Sequence, residues 1–330
     1  MENIKKWLLS LCFASLGMIS FAQQQGQYSQ YMMNYYLINP AVSGTEDFID
    51  VRAGYRMQWT GLAGAPRNYY LSGHMPLNKV DTKMSRGKIT SPHHSVGAIF
   101  SGQTLGILAH NTAYLSYAYH LPVSDKAVLA MGAVGGINQV SADPNKADWG
   151  DNVYDPSVTG VKKTNFDLGI GLWFYTKKFF AGVSSMQIPQ GKLGLSDEIK
   201  TSGILNRHFY ITGGYKFKIN QEMSFIPSVL LKGTSAAYQV DINGKVRYRN
   251  RGWLGMSYRR TDAIALLGGV IIPLSSMKPN QKHGCAMLEI GYSYDVTTSR
   301  LKRHSYGSHE IMVALLLPMK GRMICPSDFW

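Results

Sequence analysis

Residues 48–59 read FIDVRAGYRMQW. Ile49, Val51, Ala53, Tyr55, Met57 and Trp59 form an apolar set at every second position. Asp50, Arg52, Arg56 and Gln58 occupy positions between them. A period of two puts the two sets on opposite faces of one strand. One side of this ribbon is greasy and the other is ionisable. A dry sandwich core does not tolerate the ionisable side unpaired.

The same pattern recurs along the chain. In NYYLSGHM, Tyr69, Leu71 and Met75 alternate with Asn68, Ser72 and His74. In NFDLGIGLWF, Phe166, Leu168, Ile170, Leu172 and Phe174 oppose Asn165, Asp167 and Trp173. In HFYITGGYKFKI, Phe209, Ile211, Tyr215 and Phe217 oppose His208, Thr212, Lys216 and Lys218. In CAMLEIGYSYD, Leu288, Ile290, Tyr292 and Tyr294 oppose Glu289, Ser293 and Asp295. The last run, EIMVALLL, aligns Ile311, Val313, Leu315 and Leu317. Each segment has about ten residues, the length of a tilted membrane strand. The apolar faces often begin or end in Tyr, Trp or Phe, as interfacial girdles do.

About fourteen such strands fit the sequence, an even number as bacterial barrels require. They lie near 48–59, 67–76, 94–102, 110–122, 126–139, 163–176, 179–186, 207–219, 222–232, 235–242, 247–259, 263–273, 285–295 and 307–318. The fold expected is all-β: a transmembrane antiparallel β-barrel with its charged faces around the lumen. A soluble β-protein such as a lectin is the competing fold. Asn243-Gly244 reads as a two-residue hairpin turn. Pro227 lies inside a strand and removes one ladder donor, so a bulge is expected there.

Composition agrees with a sheet that meets something other than water. Hydrophobic residues make up 45% of the 330 residues and charged residues only 16%. A soluble surface brings the charged share to about 25%. After the first residues no run is long enough for a membrane helix; the best, Ala263 to Leu274, is interrupted by glycines and Pro273.

The chain opens with Lys5 and Lys6, an apolar run from Trp7 to Phe21, and Ser20 and Ala22 at cleavage-site spacing. Residues 1–22 therefore read as a secretory signal. The net charge of +14 points to anionic headgroups or an acidic protein partner. A basic balance can also mean nucleic acid, but an exported protein rarely meets it, and none is expected as a partner. Cys285 and Cys325 remain after cleavage; two cysteines can pair in an oxidising compartment but make no disulfide scaffold.

Catalytic patterns are lacking. His309-Glu310 has no second His at metalloprotease spacing. Ser85 to Lys88 and Ser275 to Lys278 match S-x-x-K without its companion motifs. His93 and His94 point to opposite faces of a strand, which disfavours a shared metal. Neither an enzyme nor a cofactor is expected.

Residues 23–47 precede the first strand and contain QYMMNYYLINPAVSG, Gln30 to Gly44. Their aromatic and Met content is unlike a disordered leader. The reading is a segment folded back into the lumen as a plug or lining. Asn34, Asn39 and Ser43 are expected to bond Arg52, Arg56 and Gln58, with Tyr31, Tyr35 and Tyr36 packed beside them. Asn39-Pro40 is expected to fix an extended turn. With residues 48–318 as the barrel, residues 319–330 remain as a periplasmic tail, where Phe329 and Trp330 serve assembly or docking.

With both termini periplasmic, connectors 140–162, 187–206 and 296–306 face outward and most inward ones are short. Two inward connectors are long and basic. One, 77–93, carries Lys79, Lys83, Arg86 and Lys88; the other, 274–284, carries Lys278 and Lys282. The first is a candidate periplasmic docking surface.

The order and spacing of Tyr31, Asn34, Asn39-Pro40-Ala41, Gly44, Arg56, Gln58-Trp59 and Ala65-Pro66 resemble the N-terminal pattern of the PorP/SprF family of the type IX secretion system. Cys325-Pro326 resembles the Cys-Pro pair near the end of that family. The resemblance covers essentially the whole mature chain. It implies an outer-membrane component of the secretion and gliding apparatus at the cell surface. It also implies partners: a periplasmic ring with its peptidoglycan-linked lipoprotein, or a secreted adhesin-like substrate carrying a C-terminal secretion domain. Outer-membrane lipid surrounds it. The site residues expected on this basis are Tyr31, Asn34, Asn39, Pro40, Arg52, Arg56, Gln58 and Trp59. The alternative is an outer-membrane channel for a small or apolar solute.

Overall fold

The computed structural model describes residues 26–77, 92–143, 160–189, 206–234, 237–260, 262–274 and 286–319. Fourteen strands cross the molecule: β1 Phe48–Met57, β2 Arg67–Leu77, β3 His93–Leu105, β4 Leu108–Ser124, β5 Ala127–Ala142, β6 Val161–Thr176, β7 Phe179–Met186, β8 His208–Tyr215, β9 Met223–Gly233, β10 Tyr238–Tyr248, β11 Gly252–Arg259, β12 Ala263–Pro273, β13 Met287–Thr297 and β14 Ser308–Pro318. A two-residue piece, Phe217–Lys218, continues β8 and pairs with β9. Each strand is antiparallel to its sequence neighbour. β14 pairs with β1, Phe48 opposite Pro318 and Met57 opposite His309, so the sheet closes. Closure satisfies every ladder group that an edge would leave open, which a bilayer demands.

The period of two holds around the barrel. Asp50, Arg52 and Arg56 are buried inside. Leu115, Phe166 and Leu254, on the outer face, are 73%, 62% and 72% exposed. Apolar outside and polar inside is the inversion that a lipid solvent imposes, and it defines a membrane barrel. Among the described residues no helix is long and apolar enough to cross a membrane.

Several local expectations fail for tertiary reasons. Asn243-Gly244 makes no hairpin. β10 runs unbroken through it, because it is paired on both sides, Asn243 to Ser228 of β9 and Ser257 of β11. The turn falls at residues 249–251, where Arg249 takes the positive φ of 48°. Pro227 causes a gap instead of a bulge. β8 pairs with β9 up to Gly214↔Ser228 and resumes at Phe217↔Phe225 in the same register. The missing N–H costs a ladder bond without inserting a residue. β1 ends at Met57, so Trp59 lies in the following turn, with φ 46°, and not on the lipid face. β3 and β4 extend outward past their expected ends and leave a tight turn at 106–107. The basic connector residues Lys79, Lys83, Arg86 and Lys88, with Lys278 and Lys282, lie outside the described residues, as do both mature cysteines, Phe329 and Trp330.

Candidate functional site in the barrel lumen

Residues 27–45 are almost all buried, and their contacts run to inward-facing residues of the strands. The stretch has too few residues of one period for a regular element, and it forms three short 3-10 turns: Tyr31–Met33, Tyr35–Leu37 and Pro40–Val42. Nearly every residue from Gln27 to Thr45 is buried.

The segment enters beside a buried charge network. The Ser29 amide donates to a Glu310 carboxylate oxygen at 2.6 Å, and the Gln30 amide donates to the other at 3.1 Å. The Ser29 hydroxyl donates to Asp295 Oδ2 at 2.6 Å and accepts from Arg56 at 2.7 Å and Arg259 at 3.1 Å. Arg56 pairs with Asp295 at 2.8 Å and Glu310 at 3.3 Å. Arg259 adds Asp262 at 3.1 Å and Asp241 at 3.5 Å. Charges this deep persist only when paired and hydrogen-bonded, and here each carboxylate meets a guanidinium.

Further along, the guanidinium of Arg52 holds Asp50 at 2.8 Å and donates to the Met33 carbonyl. Asn243 bonds the Tyr31 hydroxyl, and Lys245 reaches Met33 Sδ at 3.4 Å. Asn34 donates to Ser72 at 2.9 Å. The Tyr36 hydroxyl meets Ser116 at 2.5 Å, while its ring lies edge-on to His74 with centroids 4.7 Å apart. Tyr35 packs on Trp173 and Phe180, at 5.6 and 5.2 Å between centroids.

Asn39, Pro40 and Ala41 form the tightest contact with the wall. The Asn39 side chain accepts the Ala41 amide at 3.0 Å and donates to the carbonyls of Leu172 and Val183 at 3.0 and 3.3 Å. It caps the third turn, with Pro40 preset for the first position. The turn rests on Gly132 and Gly171. A Cβ on Gly132 would stand 2.6 Å from the Pro40 carbonyl carbon, and one on Gly171 would strike the Asn39 side chain.

Three histidines close the far end. His74 Nδ1 accepts the Gly44 amide at 3.2 Å. His93 Nε2 meets the Gly44 carbonyl at 3.0 Å, and His120 Nε2 the Ser43 carbonyl at 2.7 Å. A carbonyl only accepts, so His93 and His120 carry their protons on Nε2. Their rings stack 4.2 Å apart. Gly44, at φ 72°, permits the bend that leads into β1.

The lumen thus brings together Tyr31, Asn34, Asn39, Pro40, Arg52, Arg56 and Gln58, all buried. Gln58 meets Gln27 and Asn68. Trp59 is apart, in the turn after β1, its amide donating to the Ser308 hydroxyl at the start of β14. The partners differ from those expected of Asn34, Asn39 and Ser43: their described bonds run to Ser72, to strand carbonyls and to Ser95. Arg52 and Arg56 instead hold Met33 and Ser29. Sequence reasoning missed Arg259, the histidines and the glycine cradle. Inward parity within each strand was the available signal. Among the described residues no cluster suits a metal ion.

A closed fourteen-stranded barrel, apolar outside and holding its own N-terminal stretch inside, is an outer-membrane protein of the bacterial kind. Residues 20–315 match the family of type IX secretion system membrane proteins PorP/SprF, and the chain belongs to that family. It thereby has a role in type IX secretion at the outer membrane, in association with components of that system. No curated protein matches the chain. Among solved structures it is similar to the CymD monoaromatic hydrocarbon channel, at 11% identity over 92% of this chain and 96% of that one, TM-score 0.50. It is also similar to the Ralstonia pickettii toluene transporter TbuX, at 12% identity over 88% and 93%, TM-score 0.50. Likeness at this identity concerns the fold alone.

Proposed function

We propose that this barrel serves type IX secretion by binding protein, and not by conducting solute. The observation that carries the reading is the occupied lumen: residues 26–45 are buried against the wall from the Arg56 network to the histidines. A barrel filled in this way offers its rims and loops to partners, while its interior supplies rigidity. One partner class is a secreted adhesin-like protein held through its C-terminal secretion domain. The other is the periplasmic ring with its peptidoglycan-linked lipoprotein, docked on the basic connector that carries Lys79, Lys83, Arg86 and Lys88 and on the tail 319–330. In this reading residues 23–47 act as a plug, with Tyr31, Asn34, Asn39 and Pro40 as its contacts and Arg52, Arg56 and Gln58 as their seat.

Affinity capture of the intact chain from detergent-solubilised outer membranes tests this. Recovery of a protein with a C-terminal secretion domain, or of ring components, supports the reading; recovery of neither overturns it. Planar-bilayer recording tests the plug. The native barrel is expected to stay closed and a variant lacking residues 23–44 to conduct; equal conductance of the two argues against a plug. The alternative is a channel for a small apolar solute, the role that the names of the hydrocarbon channel and toluene transporter above give to those barrels. It requires steady conductance or solute uptake by the native chain.

A further inference from the structure

The N-terminal segment gives the lumen a direction. At one end Phe48 of β1 lies opposite Pro318 of β14, beside the short turns 125–126, 177–178 and 249–251. The opposite end also has one such turn, 106–107, but it carries the two longest connectors, 143–160 and 187–207, and longer loops mark the extracellular side. Ser43 and Gly44 sit toward that end, on His93 at the start of β3. Gln27 sits at the other. It bonds Gln239 near the start of β10, Asn68 near the start of β2, and Arg259 at the end of β11. Residues 27–45 therefore run the height of the barrel, and Gln27 is at the outer mouth.

At that mouth a cavity of about 100 Å³ opens between the segment and the outer ends of β8, β9 and β10. Its floor is apolar: Leu37 and Ile38 from the segment, Tyr210 and Leu230 from the wall, all buried. Lys232 and Gln239, directly opposite each other on β9 and β10, supply a polar side. An ammonium carries three N–H donors, so Lys232 can serve Asp241, two positions along the same face of β10, and a further acceptor. An apolar cavity of about 150 Å³ is known to hold benzene; this one is smaller, about 100 Å³, and encloses a short chain or the inner part of one ring, the polar end of the ligand lying in the open mouth. Apolar walls with a few convergent polar groups are the usual make-up of a small-molecule site.

We infer that this cavity is a binding site, entered from the cell exterior, for a small monoanionic amphiphile: one aromatic ring or short alkyl chain that ends in a carboxylate. The apolar part lies on Leu37, Ile38, Tyr210 and Leu230. The carboxylate accepts from Lys232 and from the second N–H of the Gln239 amide, whose nitrogen also donates to Asp241 at 3.0 Å and whose oxygen accepts from Gln27 at 2.9 Å. The site exists only while the segment is seated, because the segment forms half of its floor. It is independent of the secretion role, and either reading stands without the other.

The probe is 4-fluorobenzoate, titrated against the full mature chain in uncharged detergent and followed by fluorine NMR, with empty micelles as baseline. 4-Fluorobenzyl alcohol is the uncharged comparison. Saturable binding of the carboxylate is expected. Lys232→Met should weaken it by about tenfold or more, the loss typical of a hydrogen bond to a charged group, and change the alcohol by less than about threefold. Leu230→Trp should abolish both by filling the floor. Ile38→Trp should do the same from the segment side, where the barrel wall is untouched; heat-shifted gel mobility verifies that it is folded. Absence of saturable binding to the native chain overturns the inference. So does Lys232→Met weakening both probes equally, or a folded Ile38→Trp that binds as the native chain does.

Discussion

Replacing Arg56 by Met tests whether the lumen network is dry enough to act as a structural lock. Arg56 is buried and contacts three groups at once: the Ser29 hydroxyl at 2.7 Å, Asp295 at 2.8 Å and Glu310 at 3.3 Å. Methionine keeps much of the stem volume and removes the charge. Removing one partner of a buried pair costs about 3–5 kcal/mol, since the other charge is left uncompensated. Two facts place Arg56→Met near the lower limit. Arg259 remains 3.5 Å from Asp295. Glu310 keeps the Ser29 and Gln30 amides. The expected loss is thus about 3 kcal/mol. The assay is reversible urea unfolding in phospholipid vesicles, followed by tryptophan fluorescence. A loss below about 1 kcal/mol for Arg56→Met refutes the reasoning and means that water screens the network.

Other consequences are equally direct. Gly132→Val should unseat the segment, because its Cβ enters the space of Pro40 and Ala41; the readout is new chymotryptic cleavage at Tyr31, Tyr35 or Tyr36 in folded barrels. His120→Leu deletes one of two bonds to the Ser43 carbonyl, which still accepts from the Ser95 hydroxyl at 2.8 Å; a loss of about 0.5–1.5 kcal/mol in the same unfolding assay is expected. Leu115→Arg puts a cation on the lipid face where Leu115 is 73% exposed; near mid-bilayer this should cost about 2–4 kcal/mol. Between β8 and β9, the hydrogen bond from Arg249 holds the Glu222 carboxyl below its ordinary pKa. The small stabilisation this implies is present at neutral pH and lost as pH falls through the carboxylate range. Both groups are solvent-exposed, so Glu222→Gln should leave the melting temperature unchanged at neutral pH.

Alternation along each strand is a local property, and it already contains the barrel. Which residues of β1, β2, β6, β8, β13 and β14 face inward follows from parity alone, so Arg52, Arg56 and Gln58 were legible as interior groups. Lipid outside and charge inside follow from the same pattern, because only a closed sheet keeps both faces in suitable surroundings. What parity does not contain is the partner of each inward group. Asp295 and Glu310 are 239 and 254 residues from Arg56 in sequence, and only closure of β14 on β1 brings them to it. The same limit explains Asn243-Gly244. Its local turn preference is weaker than an eleven-residue ladder on β9, and its Asn side chain is engaged by Tyr31 from another part of the chain. The seat of residues 26–45 is likewise a product of remote glycines, serines and histidines on separate strands. Strand period fixes faces within a few residues; register and closure decide contacts across hundreds, and those appear only when the barrel is complete.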